Sequence, residues 1–142
     1  MNKLVYETFN EEETKAIGKK IGEASKPGQI YCLNGDLGVG KTVFTKGFAL
    51  GLGIEEHITS PTFTILNVYN GKFNFYHFDV YRIADQEEMY EIGYEDYFFG
   101  DGVCLVEWAE LIPDLLPNDV ININISKDLE KGLDYRKIEV LK

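Results

Sequence analysis

Residues 35–42, GDLGVGKT, constrain this chain more than any other stretch. They match the pattern G-x-x-x-x-G-K-[ST]. Its glycines let the backbone curl around phosphate oxygens with the N–H groups turned inward, its lysine reaches β/γ-phosphates, and its hydroxyl reaches Mg²⁺. The flanks suit that reading. Residues 29–34 form a short apolar run rich in β-formers, and residues 41–50 have helical spacing. A helix starting there aims the positive end of its dipole at an anion.

The remaining pattern predicts how the loop is framed. Residues 3–8 read as a strand. Asn10 then caps a helix whose first turn carries Glu11, Glu12 and Glu13 and whose buried side carries Ile17 and Ile21. The helix after the loop stops around Gly51 and Gly53. Residues 57–64 are polar, and Pro61 keeps them from being helical. Asn70-Gly71 between the β-rich runs 64–69 and 72–80 is a hairpin signal. Residues 84–90 read as a short acidic helix and 92–99 as an aromatic connector. Residues 102–106 form an apolar run suited to a strand buried on both faces, ending on Glu107 and Trp108. Residues 119–125 and 135–141 alternate apolar and polar, and read as closing antiparallel strands. The sum is an α/β chain with a three-layer P-loop NTPase fold and a mixed, partly antiparallel central sheet. Its 142 residues form one domain, 1–142.

Composition narrows the partners. With 24 acidic against 14 basic side chains the formal net charge is −10. Gripping a nucleic-acid backbone needs the opposite balance, so neither DNA nor RNA is expected as a direct partner, and any nucleic acid is met through another protein. No stretch approaches a membrane span, and the N-terminus has no signal-peptide core, which predicts the cytoplasm. Cys32 and Cys104 fall in buried strands without a C-x-x-C, and read as core thiols.

A phosphate loop needs a second acid for its metal, ordinarily at the end of a neighbouring apolar strand. Glu107 and Asp79 both qualify. Spacing alone does not divide their roles; Glu107 is assigned to metal with Thr42, and Asp79 to the catalytic or water-orienting role beside Lys41. His77 shares a strand face with Asp79 and reads as a satisfied neighbour and a weak catalytic candidate. The hydroxyls of Thr59, Ser60 and Thr62 lie where switch segments sit in other nucleotide hydrolases. Arginine occurs only at 82 and 136, too sparse for a nucleoside kinase that clamps two phosphoryl groups. A dinucleotide site fails because Val43 stands where its third glycine belongs, and the missing N-K-x-D favours ATP over GTP.

Four blocks in order carry a family resemblance: residues 35–42, Ser60-Pro61-Thr62-Phe63-Thr64, His77-Phe78-Asp79-Val80-Tyr81-Arg82, and Val106-Glu107-Trp108. Together, over nearly the whole chain, they resemble the bacterial TsaE (YjeE-type) ATPases of tRNA threonylcarbamoyladenosine biosynthesis. The resemblance implies an ATPase that assists modification of adenosine 37 in tRNAs reading codons that begin with A, acting with the TsaB and TsaD proteins. It implies that Asp36, Leu37, Gly38, Val39, Gly40 and Lys41 bind the phosphates of ATP, and that Thr42 and Glu107 hold Mg²⁺. It also implies that the helix start at Asn10 and Thr14 lies near the base, and it points to Arg136 as a match for a family arginine there. Val39 replaces a common alanine, and its side chain is expected to point away from phosphate.

Overall fold

The computed structural model describes residues 2–36, 38–61 and 65–142. In chain order the elements are β1 (Lys3–Thr8), α1 (Glu11–Glu23), β2 (Ile30–Asn34), α2 (Lys41–Gly51), β3 (Leu66–Asn70), β4 (Asn74–Asp79), α3 (Glu88–Glu91), α4 (Tyr94–Phe98), β5 (Val103–Glu107), β6 (Ile121–Ser126) and β7 (Arg136–Leu141). Single 3₁₀ turns occupy Ala109–Leu111, Pro113–Leu115 and Leu129–Lys131. The strands form one seven-stranded sheet in the order β1-β7-β6-β2-β5-β4-β3. β2 is central and parallel to β5 and β6, β4 is parallel to β5, and the pairs β1–β7, β6–β7 and β3–β4 are antiparallel.

Alternation along the strands divides the core into two layers. On one face Tyr31, Leu33, Leu105 and Ile123 pack against Phe44 and Phe48 of α2 and Ile21 of α1. On the other, Cys32, Phe78, Cys104 and Val106 meet Met89 of α3, Tyr94 and Phe98 of α4, and Ile112. Helices on both faces of a largely parallel centre give the three-layer α/β architecture that the pattern predicts. β5 is buried at every position, as a strand covered on both sides must be. Both cysteines are free and buried, and burial pushes the Cys32 thiol up to about 11 and the Cys104 thiol up to about 12.

α1 and α2 approach backbone to backbone. A Cβ on Gly18 would stand 2.3 Å from the Phe44 carbonyl oxygen, and one on Gly47 would stand 2.0 Å from that of Lys15. Gly22 and Gly51 face Phe48 and Lys19 in the same way. The two G-x-x-x-G spacings therefore set how close the helices lie.

Several expectations are corrected. β6 runs antiparallel only to β7; toward β2 it is parallel, a pairing that alternation cannot specify. The acidic helix shrinks to Glu88–Glu91, because Glu88 accepts from the Ala84 and Asp85 N–H groups and Asp85 accepts from Glu87 N, which holds 84–87 in turns. The connector at 92–99 contains α4, entered at Gly93 with φ 70° and anchored by the buried pair Tyr94 and Phe98, four apart. Between β3 and β4 the link is Gly71-Lys72-Phe73 rather than a two-residue Asn-Gly turn. Gly71 is needed there for closeness, since a Cβ would lie 2.3 Å from the Leu52 carbonyl oxygen. Among the described residues no helix is long and apolar enough to cross a membrane.

Candidate functional site

The glycine loop is shaped by its backbone first. Gly38 and Gly40 have φ of 77° and 105°, a region that disfavours any side chain. Gly40 is also the N-cap of α2, which has no side-chain cap and no acid in its first turn. α1 is the reverse: Asn10 accepts from Glu13 N, and three glutamates follow. The leading N–H groups of α2 are thus left to a ligand or solvent, with a dipole that favours an anion. Val39 turns its side chain into the core, and its carbonyl accepts a 2.6 Å hydrogen bond from Arg136 Nε. Arg136 also donates through Nη1 to the Leu133 and Tyr135 carbonyls, tying the start of β7 to the loop.

Sheet register brings the two acids together. Asp79 and Glu107 are direct partners at the ends of the parallel strands β4 and β5. They share a cleft of about 330 Å³ with Gly38, Gly40, Lys41, Thr42, Ser60 and Trp108. Lys41 is nearly buried, its Nζ 3.9 Å from Glu107 Oε1 and 4.7 Å from the centre of the Trp108 ring. The other Glu107 oxygen, Oε2, lies 2.8 Å from His77 Nε2. Asp79 Oδ1 accepts from Tyr81 N. Burial first, then the Glu107 carboxylate, push the Asp79 carboxyl above its ordinary value, against that hydrogen bond. Trp108 has φ 63°, the one non-glycine with positive φ among the described residues, and it stacks at a tilt on Tyr81. A bulky residue held there stores strain of about 1–3 kcal/mol beside the site.

The donors present fit Mg²⁺. It favours octahedral oxygen ligation through one or two carboxylates with phosphate and water, not an all-protein cage. Thr42 and Glu107 offer one hydroxyl and one carboxylate in a single cleft. Among the described residues no cluster of three or more His, Cys, Asp or Glu could form a cage instead.

Other expected residues line adjoining spaces. Asn10, Thr14, Val43 and Arg136 surround a cavity of about 80 Å³ on the far side of Gly38–Gly40. Two polar groups there are already engaged: Asn10 Oδ1 as the cap, and Thr14 Oγ1 with Thr8 Oγ1 at 2.7 Å. Asp36 faces a third cleft, of about 550 Å³, with Asn34 and Asn124. Of the three hydroxyl residues, Ser60 borders the main cleft, whereas Thr59 is tied to β3 through Asn67 Nδ2 and the Tyr69 hydroxyl. Leu37 and Thr62 lie outside the described residues. Arg82 is exposed, makes no ion pair among the described residues and is not among the residues that line the main cleft. The sequence reading missed the His77–Glu107 bond, the Lys41–Trp108 contact and the Arg136 tie to Val39. The i, i+2 alternation of His77 and Asp79 is the signal that puts the histidine on the same face as the acids.

Residues 8–138 match the family model described as "Threonylcarbamoyl adenosine biosynthesis protein TsaE". A protein named tRNA threonylcarbamoyladenosine biosynthesis protein TsaE from Bacillus subtilis (strain 168) is 51% identical over 139 residues, spanning 97% of this chain and 85% of the relative. One of the same name from Treponema pallidum (strain Nichols) is 45% identical over 114 residues, spanning 80% and 84%. The crystal structure of Bacillus subtilis YdiB superposes with a TM-score of 0.80 at 47% identity, covering 98% of this chain and 84% of that one.

Proposed function

This chain belongs to the TsaE family of threonylcarbamoyl adenosine biosynthesis proteins, and from that premise we propose that it binds ATP with Mg²⁺ and hydrolyses it. The hydrolysis serves threonylcarbamoylation of adenosine 37 in tRNAs reading codons that begin with A, together with TsaB and TsaD. The observation that supports this most is the convergence of Lys41, Thr42, Asp79 and Glu107 on one cleft at the uncapped start of α2.

In this reading the N–H groups of the loop and of the first turn of α2 bind the phosphates, and Lys41 exchanges Glu107 for the β/γ-oxygens. Thr42 Oγ1 and Glu107 Oε1 would hold Mg²⁺, which would supply positive charge to offset that developing on the transferred phosphoryl group. Water attacks the γ-phosphorus as the bond to the β–γ bridging oxygen breaks, giving ADP and phosphate. Asp79 orients that water and accepts its proton, a task suited to a carboxyl whose proton affinity is raised by burial. The base end of the nucleotide is assigned to the side of Asn10, Thr14 and Arg136, a reading supported by the cavity that these residues line.

The test is phosphate release from ATP by the chain alone, with the TsaB–TsaD pair, and with the pair plus tRNA, alongside measurement of modified adenosine. Slow hydrolysis alone, stimulation by the pair and dependence of the modification on this chain are expected. ATP binding without phosphate release in any mixture would reduce the protein to a nucleotide-dependent binding module.

A further inference from the structure

His77 occupies an unusual position for a core residue. It is 1% exposed, its ring lies within 7° of parallel to Phe75, and it sits two register positions below the acids. Its register partner is Leu105, so Glu107, two residues further along β5, points to the same face and comes within diagonal reach. Nε2 meets Glu107 Oε2 at 2.8 Å, whereas Nδ1 is buried and has no partner among the described residues.

An orphaned ring nitrogen carries the desolvation penalty of an unmade hydrogen bond. A ring present only for packing would fill this slot better as phenylalanine, which has no nitrogen to strand. The arrangement makes sense if the Nε2 bond is what the slot is for. With the proton on Nε2, the ring donates to the carboxylate and leaves Nδ1 as a bare acceptor, so no buried N–H is stranded. The two Glu107 oxygens then differ: Oε2 is fixed from below, and Oε1 is turned toward Lys41 and the cleft.

We propose that His77 is a positioning residue, which fixes the Glu107 carboxylate through Oε2 so that Oε1 is presented, with the Thr42 hydroxyl, to the metal that accompanies the nucleotide. The inference rests on the functional reading above and adds a residue to it. His77 does not border the cleft and touches neither substrate nor metal; it acts through Glu107. Partners of metal ligands tune affinity in this way, and their loss typically weakens metal binding about 10–100-fold.

The measurement is the dissociation constant of ATP for the full chain with Mg²⁺ and with a chelator, the ratio being the metal enhancement. His77→Gln, whose side-chain amide can still reach Glu107, should keep that ratio within about threefold of wild type. His77→Phe, which retains the stack on Phe75 but donates nothing, should lower it by about tenfold or more while leaving the chelator value unchanged. Should the phenylalanine variant not fold, His77→Asn takes its place, its amide being too short to reach Glu107. Full enhancement in His77→Phe, or equal weakening with and without Mg²⁺, would overturn the inference alone. Wild-type protein that binds ATP equally with and without Mg²⁺, or not at all, would overturn the functional reading and this inference together.

Discussion

Lys41 Nζ sits between a carboxylate and a ring, 3.9 Å from Glu107 Oε1 and 4.7 Å from the Trp108 centre, and both contacts must yield for it to face a phosphate. In the proposed reaction Lys41 is the cation opposite the β/γ-phosphates, so Lys41→Ala should cut ATP hydrolysis at least about 100-fold, the scale expected for losing one group that stabilises transition-state charge. The two acids should separate in the same assay. Glu107→Gln should weaken ATP binding in Mg²⁺, whereas Asp79→Asn should leave affinity nearly intact while turnover collapses; the reverse pattern would exchange their roles. Asp79→Asn carries a second signature. Burial raises the Asp79 carboxyl above its ordinary value of 3.8, so the folded chain holds that proton more tightly than the unfolded chain does. Stability from such a group is complete below the unfolded value and is lost as pH rises through the folded one. At neutral pH the charged form is therefore a net cost, and asparagine keeps the acceptor for Tyr81 N. The variant should melt at a higher temperature than wild type at neutral pH, with the gain shrinking as pH is lowered toward 3.8, as thermal melts across that window would report.

At the scale of elements, capping and helix contact give the clearest expectations. Asn10→Ala deletes the cap of α1 and should cost about 1 kcal/mol, a fall in Tm of about 3–4 °C for a chain of this size. Gly18→Ala pits two effects against each other. Alanine gains about 1 kcal/mol of helix propensity, but its Cβ would stand 2.3 Å from the Phe44 carbonyl oxygen. Overpacking costs about 1–3 kcal/mol where side chains can adjust, and more where the obstacle is backbone, so calorimetry should show net destabilisation. The loop, its strand and its helix were legible because each is local: an apolar run, a glycine pattern, a helical period. The Asn10 cap was legible for the same reason. The parallel pairing of β6 with β2 was not, because alternation says which face is buried and nothing about which neighbour is met. The Asn-Gly hairpin signal located the turn but not the reason for its glycine, which is closeness: a Cβ on Gly71 would lie 2.3 Å from the carbonyl oxygen of Leu52, a contact that only tertiary packing creates. At the site, both acids could be picked out as strand-end carboxylates, but their side-by-side register and the histidine beneath Glu107 come only with tertiary pairing.

For the whole molecule, the net charge of −10 and the scarcity of arginine bear on how it works with others. Arg82 makes no ion pair among the described residues, and Arg136 is committed to carbonyls of the loop and of the segment just before β7. Neither arginine is among the residues that line the main cleft, and one supplied in trans can accelerate phosphoryl transfer about 10³–10⁵-fold. Stimulation by TsaB–TsaD should approach that range. An acidic surface associates fastest with a basic one, and salt screens that attraction. Raising ionic strength should therefore erode the stimulated rate while sparing the rate of the chain alone; equal loss of both would argue against electrostatic assembly. The backbone-to-backbone contact of α1 and α2 has a consequence for mutational tolerance. Gly18, Gly22, Gly47 and Gly51 line neither the main cleft nor the cavity beside Asn10. In a scan that scores every substitution for function, these four positions should prove as unforgiving as the loop itself, for a reason of distance rather than chemistry. A map of intolerant positions on this protein would thus draw two sites, only one of them the proposed nucleotide site.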